Sequence, residues 1–152
     1  MAALSNSYSE SRVLVADDDR SIRHLVSTIV RREHFKVDSA ADGFEAIECL
    51  KQHEYNVILL DLMMPRLDGF GVIDYLRTRP PQMKPVVLVI SAYADQKFKE
   101  VDPQIVAGVI RKPFEVADLG TLVRLCIRGF ENELSYQMGI AEDRALRDFE
   151  RM

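Results

Sequence analysis

The residues best suited to chemistry each follow a short apolar run that is predicted to form a strand. They are Asp17, Asp18 and Asp19 after the first run, Asp61 after the third, Ser91 after the fourth and Lys112 after the fifth. Carboxylates that lie together repel each other, and a hard divalent cation with oxygen ligands relieves that repulsion. Mg²⁺ suits such a cluster and also binds phosphate oxygens, so carboxylates beside a lysine and a hydroxyl favour phosphoryl chemistry.

Three of these residues have distinct tasks in that chemistry. Asp61 can act as the nucleophile, because carboxylates form acyl phosphates. Lys112 can hold one phosphoryl oxygen as a point charge, and Ser91 can donate a hydrogen bond to another oxygen.

Each residue also has a simpler interpretation when it is taken alone. An aspartate at the end of a strand is often the N-cap of the next helix, and we interpret Asp19 and Asp68 as caps only. Ser91 alone indicates a turn, and a lone lysine before proline is usually solvated. The set as a whole favours a site, because its members follow four different strands and independent capping would not require that.

The elements that must position these residues alternate along the chain. Ligands of an open α/β sheet bind at the carboxyl ends of its strands, so the polar residues converge on one rim. A helix with its apolar face at a period of three to four residues follows each strand, the least regular lying within 95–106. The pattern predicts an α/β fold with a doubly wound, five-stranded parallel sheet. The predicted strands are Val13–Ala16, Lys36–Ala40, Val57–Leu60, Val86–Ile90 and Gly108–Arg111.

Length and composition exclude several classes of protein. At 152 residues, 47% hydrophobic and 29% charged, the chain has room for one folded domain and a short extra element. Its net charge of -4 provides no general attraction to nucleic acid or to anionic membrane, and its apolar runs are too short to span a bilayer. The polar segment 1–11 lacks the apolar core of a signal peptide, so we expect a disordered lead-in and a cytoplasmic protein.

Four segments in order resemble the receiver domains of bacterial two-component response regulators, of the chemotaxis-regulator type. The loop Asp61-Leu62-Met63-Met64-Pro65-Arg66-Leu67-Asp68-Gly69 is the most specific of them. The resemblance covers roughly Arg12 to Gly129. The other three segments are Val13-Leu14-Val15-Ala16-Asp17-Asp18-Asp19-Arg20-Ser21-Ile22-Arg23, Val89-Ile90-Ser91-Ala92 and Arg111-Lys112-Pro113-Phe114.

The resemblance implies a flavodoxin-like, three-layer α/β/α fold with strand order 2-1-3-4-5. It makes Asp61 the phosphoacceptor and Asp17 and Asp18 the acidic pair. Direct ligands of Mg²⁺ would be Asp18, Asp61 and the backbone carbonyl of Met63. Ser91 is the matching switch hydroxyl, and Lys112 is the matching phosphate-binding lysine, joined to Pro113 by a cis peptide bond. The first and fifth helices would cover one face of the sheet.

The family also implies partners for the chain. The phosphoryl group would come from a sensor histidine kinase or a phosphotransfer protein. The switching surface would consist of the fourth helix, the fifth strand and the fifth helix, and it would bind a downstream protein or a second copy of the chain.

Two positions depart from the family pattern. Val109 stands where an aromatic residue usually swings inward, so we expect movement of the loop after Ser91, involving Tyr93, to carry the signal. Met63 stands where a polar side chain often contacts water. With Tyr93 it predicts an apolar rim and slow self-dephosphorylation.

The predicted receiver domain spans 12–129, and 23 residues follow it. These are too few for a DNA-binding output domain, so we expect the output to come from a partner. Apolar residues recur in 130–152 at helical spacing and predict an amphipathic helical tail, which either folds back or forms a dimer stem. The tail's mixed charges do not form a nucleic acid patch.

Two other functions compete with this interpretation. Asp17-Asp18-Asp19-Arg20-Ser21 is similar to the D-x-D-x-S motif of haloacid dehalogenase-type phosphatases, which also need an acidic pair after a later strand. Here the next acidic residues after the lysine, Glu115 and Asp118, belong to a predicted helix and do not follow a strand. A pseudo-receiver that acts as a phosphorylation-independent scaffold is the third possibility, which the complete set of site residues disfavours.

Overall fold

Five parallel strands form a single sheet in the order β2-β1-β3-β4-β5. The computed structural model describes residues 11–81, 84–92 and 101–131. The predicted sheet and its strand order are therefore confirmed. The strands are β1 (Arg12–Ala16), β2 (Lys36–Ala40), β3 (Val57–Leu60), β4 (Val86–Ser91) and β5 (Val106–Arg111).

Four helices of the described residues cover the sheet. They are α1 (Arg20–Arg32), α2 (Gly43–Gln52), α3 (Gly69–Arg77) and α4 (Val116–Glu131). Helix α4 is the one that the resemblance numbers fifth. It continues two residues past the domain boundary expected at Gly129. Segment 93–100, which includes the first half of the irregular stretch 95–106, lies outside the described residues, as do most of the expected lead-in and the tail from 132 onward.

The middle of the sheet is buried on both faces, as the continuous apolar run of β3 predicted. Val57 and Leu59 pack into the cluster beneath α1 and α4, and Ile58 and Leu60 pack into the cluster beneath α2 and α3. Cys126 belongs to the first cluster and Cys49 packs against the second, so both cysteines are free. None of the helices among the described residues is long and apolar enough to cross a membrane.

The two strands on the β5 side are longer than predicted. β4 includes Ser91, and β5 begins at Val106 instead of Gly108. The register between them shifts by one residue, from Val87 opposite Val106 to Leu88 opposite Gly108. Pairing continues across this irregularity, which is why a glycine within the run did not mark the start of the strand.

Three aspartates begin three of the helices beside the carboxyl ends of the strands. Asp19 accepts hydrogen bonds from the backbone N–H groups of Ser21 and Ile22, and it caps α1. Asp42 caps α2 and Asp68 caps α3 in the same way. The cap role predicted for Asp19 and Asp68 is confirmed, and the caps fix the turns that lead out of the sheet.

Helix α3 begins in close contact with the backbone of the β3 to α3 loop. A Cβ at Gly69 would lie 2.5 Å from the carbonyl oxygen of Asp61 and 2.8 Å from Cα of Leu62. These are main-chain atoms of a buried segment, so they cannot move aside as a flexible side chain would. Position 69 therefore requires glycine for steric reasons.

We expect Gly69→Ala to lower the free energy of unfolding by about 2 kcal/mol or more, because overpacking displaces backbone. Gly120→Ala is the matched control. The nearest atom to a Cβ there is Oε1 of Glu33 at 3.1 Å, the end of a flexible side chain, and Cγ2 of Ile29 lies at an ordinary contact distance of 3.5 Å. Alanine also gains helix propensity, so we expect a change within about 1 kcal/mol in either direction. Denaturant unfolding of both variants measures the difference, and equal losses would contradict the steric explanation.

Candidate functional site

Backbone hydrogen bonds extend the sheet past the strand ends and hold the candidate residues in register. The N–H of Asp17 donates to the carbonyl of Ala40 at 3.1 Å, and the N–H of Asp61 donates to the carbonyl of Ala16 at 2.9 Å. On the other side, the N–H of Lys112 donates to the carbonyl of Ser91 at 3.2 Å. The side chains that follow β1, β3 and β5 therefore emerge from a rigid rim.

Three carboxylates meet at this rim. One oxygen from each of Asp17, Asp18 and Asp61 lies within 4.8 Å of the others. Asp17 and Asp61 are only 3% and 5% exposed, whereas Asp18 is exposed. Asp17 Oδ1 accepts a hydrogen bond from the N–H of Asp19 at 2.9 Å, and Asp61 Oδ1 accepts one from the N–H of Met63 at 3.1 Å.

Lys112 crosses from the end of β5 to this cluster. Its Nζ lies 2.8 Å from Asp17 Oδ2 and 3.5 Å from Asp61 Oδ2. Its side chain is mostly buried, which contradicts the solvated interpretation of a lone lysine. The peptide bond between Lys112 and Pro113 is cis, the isomer that the resemblance implies.

The environment shifts the pKa of Asp61 and the pKa of Lys112. Burial, together with the charges of Asp17 and Asp18, raises the pKa of Asp61 to about 6, although Lys112 and the N–H of Met63 oppose the rise. Burial alone would lower the pKa of Lys112. The hydrogen bond to Asp17 and the charges of Asp61 and Asp17 outweigh burial, so the pKa of Lys112 is raised. The lysine is a permanent cation at neutral pH.

The other candidate residues lie at different depths around this centre. Ser91 is fully buried at the end of β4, and Met63 is 46% exposed on the loop after Asp61. Val109 on β5 is half-buried and packs against the cluster beneath α2 and α3. Tyr93 lies outside the described residues.

Sequence reasoning assigned no task to Arg23, which touches the site. Its Nη1 donates a hydrogen bond to the backbone carbonyl of Asp17 at 2.8 Å. A side chain that binds a carbonyl six residues away leaves no pattern of residue types. Arg23 is the last residue of the first segment that resembles the family, but its residue type does not show which atom it contacts.

The donor set fits a hard divalent cation. The three acidic side chains provide only carboxylate oxygens, the ligand type that Mg²⁺ prefers. Three negative charges against the one positive charge of Lys112 leave two negative charges at the rim, which a divalent cation would balance. The fit therefore rests on both the kind of ligand atom and the charge.

The family model of the response regulator receiver domain matches residues 13–124. This chain belongs to that family. Among curated relatives, a probable transcriptional regulator, ycf27, of Porphyridium aerugineum is 34% identical over 120 residues, covering 78% of this chain and 49% of that protein. The chain thus spans about half the length of the curated relatives it matches.

Solved structures share the fold. The chemotaxis response regulator CheY4 of Vibrio cholerae is 28% identical with a TM-score of 0.65, covering 77% of this chain and 98% of that one. The receiver domain of a sensor histidine kinase from Pseudomonas aeruginosa, solved with a magnesium ion in its active-site cleft, is 24% identical. Its TM-score is 0.70, and the match covers 78% of this chain and 98% of that one.

In the metal-free protein we expect Asp61→Asn to raise stability in a pH-dependent way. The pKa of Asp61 is higher in the folded state, about 6, than the usual unfolded value of about 3.9. The folded state therefore disfavours the charged form. That penalty is absent below about pH 4, grows up to about pH 6 and is complete above it. Asparagine removes it, so the gain is about 2 kcal/mol at pH 8 and small at pH 4.

Thermal and denaturant unfolding in the presence of a chelator measure this gain at both pH values. The control is Asp74→Asn, which changes the exposed Asp74 that pairs with Arg77 on α3. We expect little change in stability from the control at either pH. A gain from Asp61→Asn that is the same at pH 4 and pH 8 would contradict the prediction.

Proposed function

We propose that this receiver domain accepts a phosphoryl group from a phosphorylated histidine onto Asp61, in a reaction that requires Mg²⁺. The observation that carries the proposal is the convergence of three carboxylate oxygens within 4.8 Å, with Nζ of Lys112 at 2.8 and 3.5 Å from two of these residues. A structural role for the acidic residues would not require three like charges at one rim.

The transfer balances as a displacement at phosphorus. A carboxylate oxygen of Asp61 forms a bond to phosphorus while the bond from phosphorus to the donor imidazole nitrogen breaks. The imidazole nitrogen keeps the electron pair and takes a proton.

The surrounding residues would bind and orient the group that arrives. Asp17, Asp18, Asp61 and the carbonyl of Met63 would hold Mg²⁺, which neutralises charge on phosphoryl oxygens when bound. The magnesium ion in the related kinase receiver domain supports this assignment. Lys112 is placed to bind a phosphoryl oxygen, because its Nζ already contacts the acceptor carboxylate.

Ser91 would carry the signal away from the site. It is buried on β4 beside β5, and its backbone carbonyl accepts the N–H of Lys112. A new hydrogen bond from its hydroxyl to the phosphoryl group would pull the end of β4 toward Asp61. Val109 has no aromatic ring to move inward, so we assign the change to the segment after Ser91, which contains Tyr93. This change would alter the β5 and α4 side of the domain, where a downstream protein or a second copy would bind.

The phosphoryl donor would be a histidine kinase or a phosphotransfer protein. The match covers only 49% of the relative named as a probable transcriptional regulator, so the output of that protein is not transferred here. The family match gives no support to the phosphatase alternative.

Incubation with Mg²⁺ and acetyl phosphate should add one phosphoryl group to the full chain, measured as intact mass. Asp61→Asn should abolish the adduct, because it removes the nucleophilic oxygen. Asp74→Asn, which lies outside the site, should leave the adduct unchanged. Phosphate release that survives Asp61→Asn but not Asp17→Asn would favour a phosphatase. No adduct on the wild type would favour a scaffold, and either result would refute the proposed function.

We also expect the adduct to persist for minutes or longer. The exposed side chain of Met63 stands at the rim and offers no hydrogen bond to an attacking water. Met63→Gln should shorten the lifetime several-fold, whereas Leu25→Gln, at an exposed apolar position on α1, should leave it unchanged. Time-resolved intact mass after removal of the donor measures both. Loss of the wild-type adduct within seconds would rule out the expected shielding.

A further inference from the structure

The three carboxylates of the site are not held in the same way. Asp17 is fixed by the N–H of Asp19 and by Lys112, and Asp61 is fixed by the N–H of Met63 and by Lys112. Within the described part of the chain, the carboxylate of Asp18 makes no hydrogen bond and no ion pair, and it is exposed. The position of the Asp18 carboxylate therefore depends on its own backbone.

The peptide group after Asp18 is held by the hydrogen bond from the N–H of Asp19 to Asp17 Oδ1, and the peptide group before Asp18 is held by Arg23. The carbonyl oxygen that Arg23 binds at 2.8 Å belongs to the peptide group joining Asp17 to Asp18. A peptide group is planar, so holding its oxygen also fixes the direction in which Cα of Asp18 leaves it. Among the described residues, this is the only hydrogen bond made by that peptide group. The donor is a guanidinium group, which makes the bond stronger than one between neutral groups.

We propose that Arg23 is a positioning residue of the metal site: it orients the peptide between Asp17 and Asp18 and so keeps the Asp18 carboxylate within reach of a cation shared with Asp61. The inference rests on the proposed function, because it assumes that Mg²⁺ binds at this rim. Arg23 approaches the site from α1 and is only partly exposed.

The direction in which the loss of Arg23 changes the affinity for Mg²⁺ distinguishes a positioning role from an effect of its charge. Arg23 is a cation beside a cation site, so its charge alone weakens the binding of Mg²⁺. If charge were its only contribution, its removal would strengthen binding. If it positions Asp18, its removal weakens binding even though a positive charge has been lost.

The test uses the full-length chain and Mg²⁺ alone, titrated by calorimetry. Arg23→Met keeps much of the length and loses the donor, and we expect the dissociation constant to rise about ten-fold, as for other residues that orient metal ligands. Arg23→Lys restores a charged donor and should recover part of the affinity. Arg20→Met removes an arginine from the same helix that is exposed, and it should leave the affinity unchanged or slightly improved.

A second readout distinguishes positioning from general loss of structure. The initial rate of phosphorylation by acetyl phosphate, followed against Mg²⁺ concentration, should show a half-saturating concentration about ten-fold higher in Arg23→Met. The maximal rate at saturating Mg²⁺ should remain within two-fold of wild type. Arg23→Gln, which is too short to reach the carbonyl, replaces Arg23→Met if that variant does not fold.

An affinity of Arg23→Met equal to or tighter than wild type would overturn the inference and leave the proposed function intact. A fall in the maximal rate with an unchanged half-saturating concentration would also overturn it. Failure of the wild type to bind Mg²⁺ or to accept a phosphoryl group would instead refute the proposed function, so the two failures are distinguishable.

Discussion

Repulsion among three carboxylates at one edge of an apolar sheet is the constraint that organises this molecule. Two of the three are almost fully buried, where unpaired charge is strongly disfavoured. Lys112 relieves part of the repulsion by reaching from β5 across the rim to Asp17 on the far side of β3. That ion pair joins residues 95 positions apart in the chain. The ends of the strands are therefore held together by charge as well as by the sheet.

Much of the fold followed from the pattern of apolar residues. β3 was recognisable because all four of its residues are apolar, and they are buried from both sides. The predicted start of β5 at Gly108 was wrong, because a glycine often marks the end of a strand. In the structure the strand continues through Gly108, where its register with β4 shifts by one residue. Helix starts were predictable at Asp19 and Asp68, since a capping carboxylate leaves a local signal in the sequence.

Some features of the site could likewise be predicted from the sequence, and others could not. Asp17, Asp61 and Lys112 could be predicted to converge, because strand ends bring distant side chains to one place. The burial of Ser91 and the raised pKa of Asp61 could not, since both depend on how closely the neighbouring elements pack. Arg23 was not predictable either. Its partner is a backbone carbonyl, and every residue has one, so residue types carry no information about that contact.

The ion pair between Lys112 and Asp17 also competes with a divalent cation for the carboxylate oxygens. In the absence of a divalent cation the ammonium group occupies the carboxylate oxygens, so it serves as an internal counter-ion that lets the metal-free chain keep its fold. A metal that binds the same oxygens must displace or share that counter-ion. By thermodynamic linkage, the part of the ion pair's stabilising free energy that is lost when the metal binds is subtracted from the free energy of metal binding.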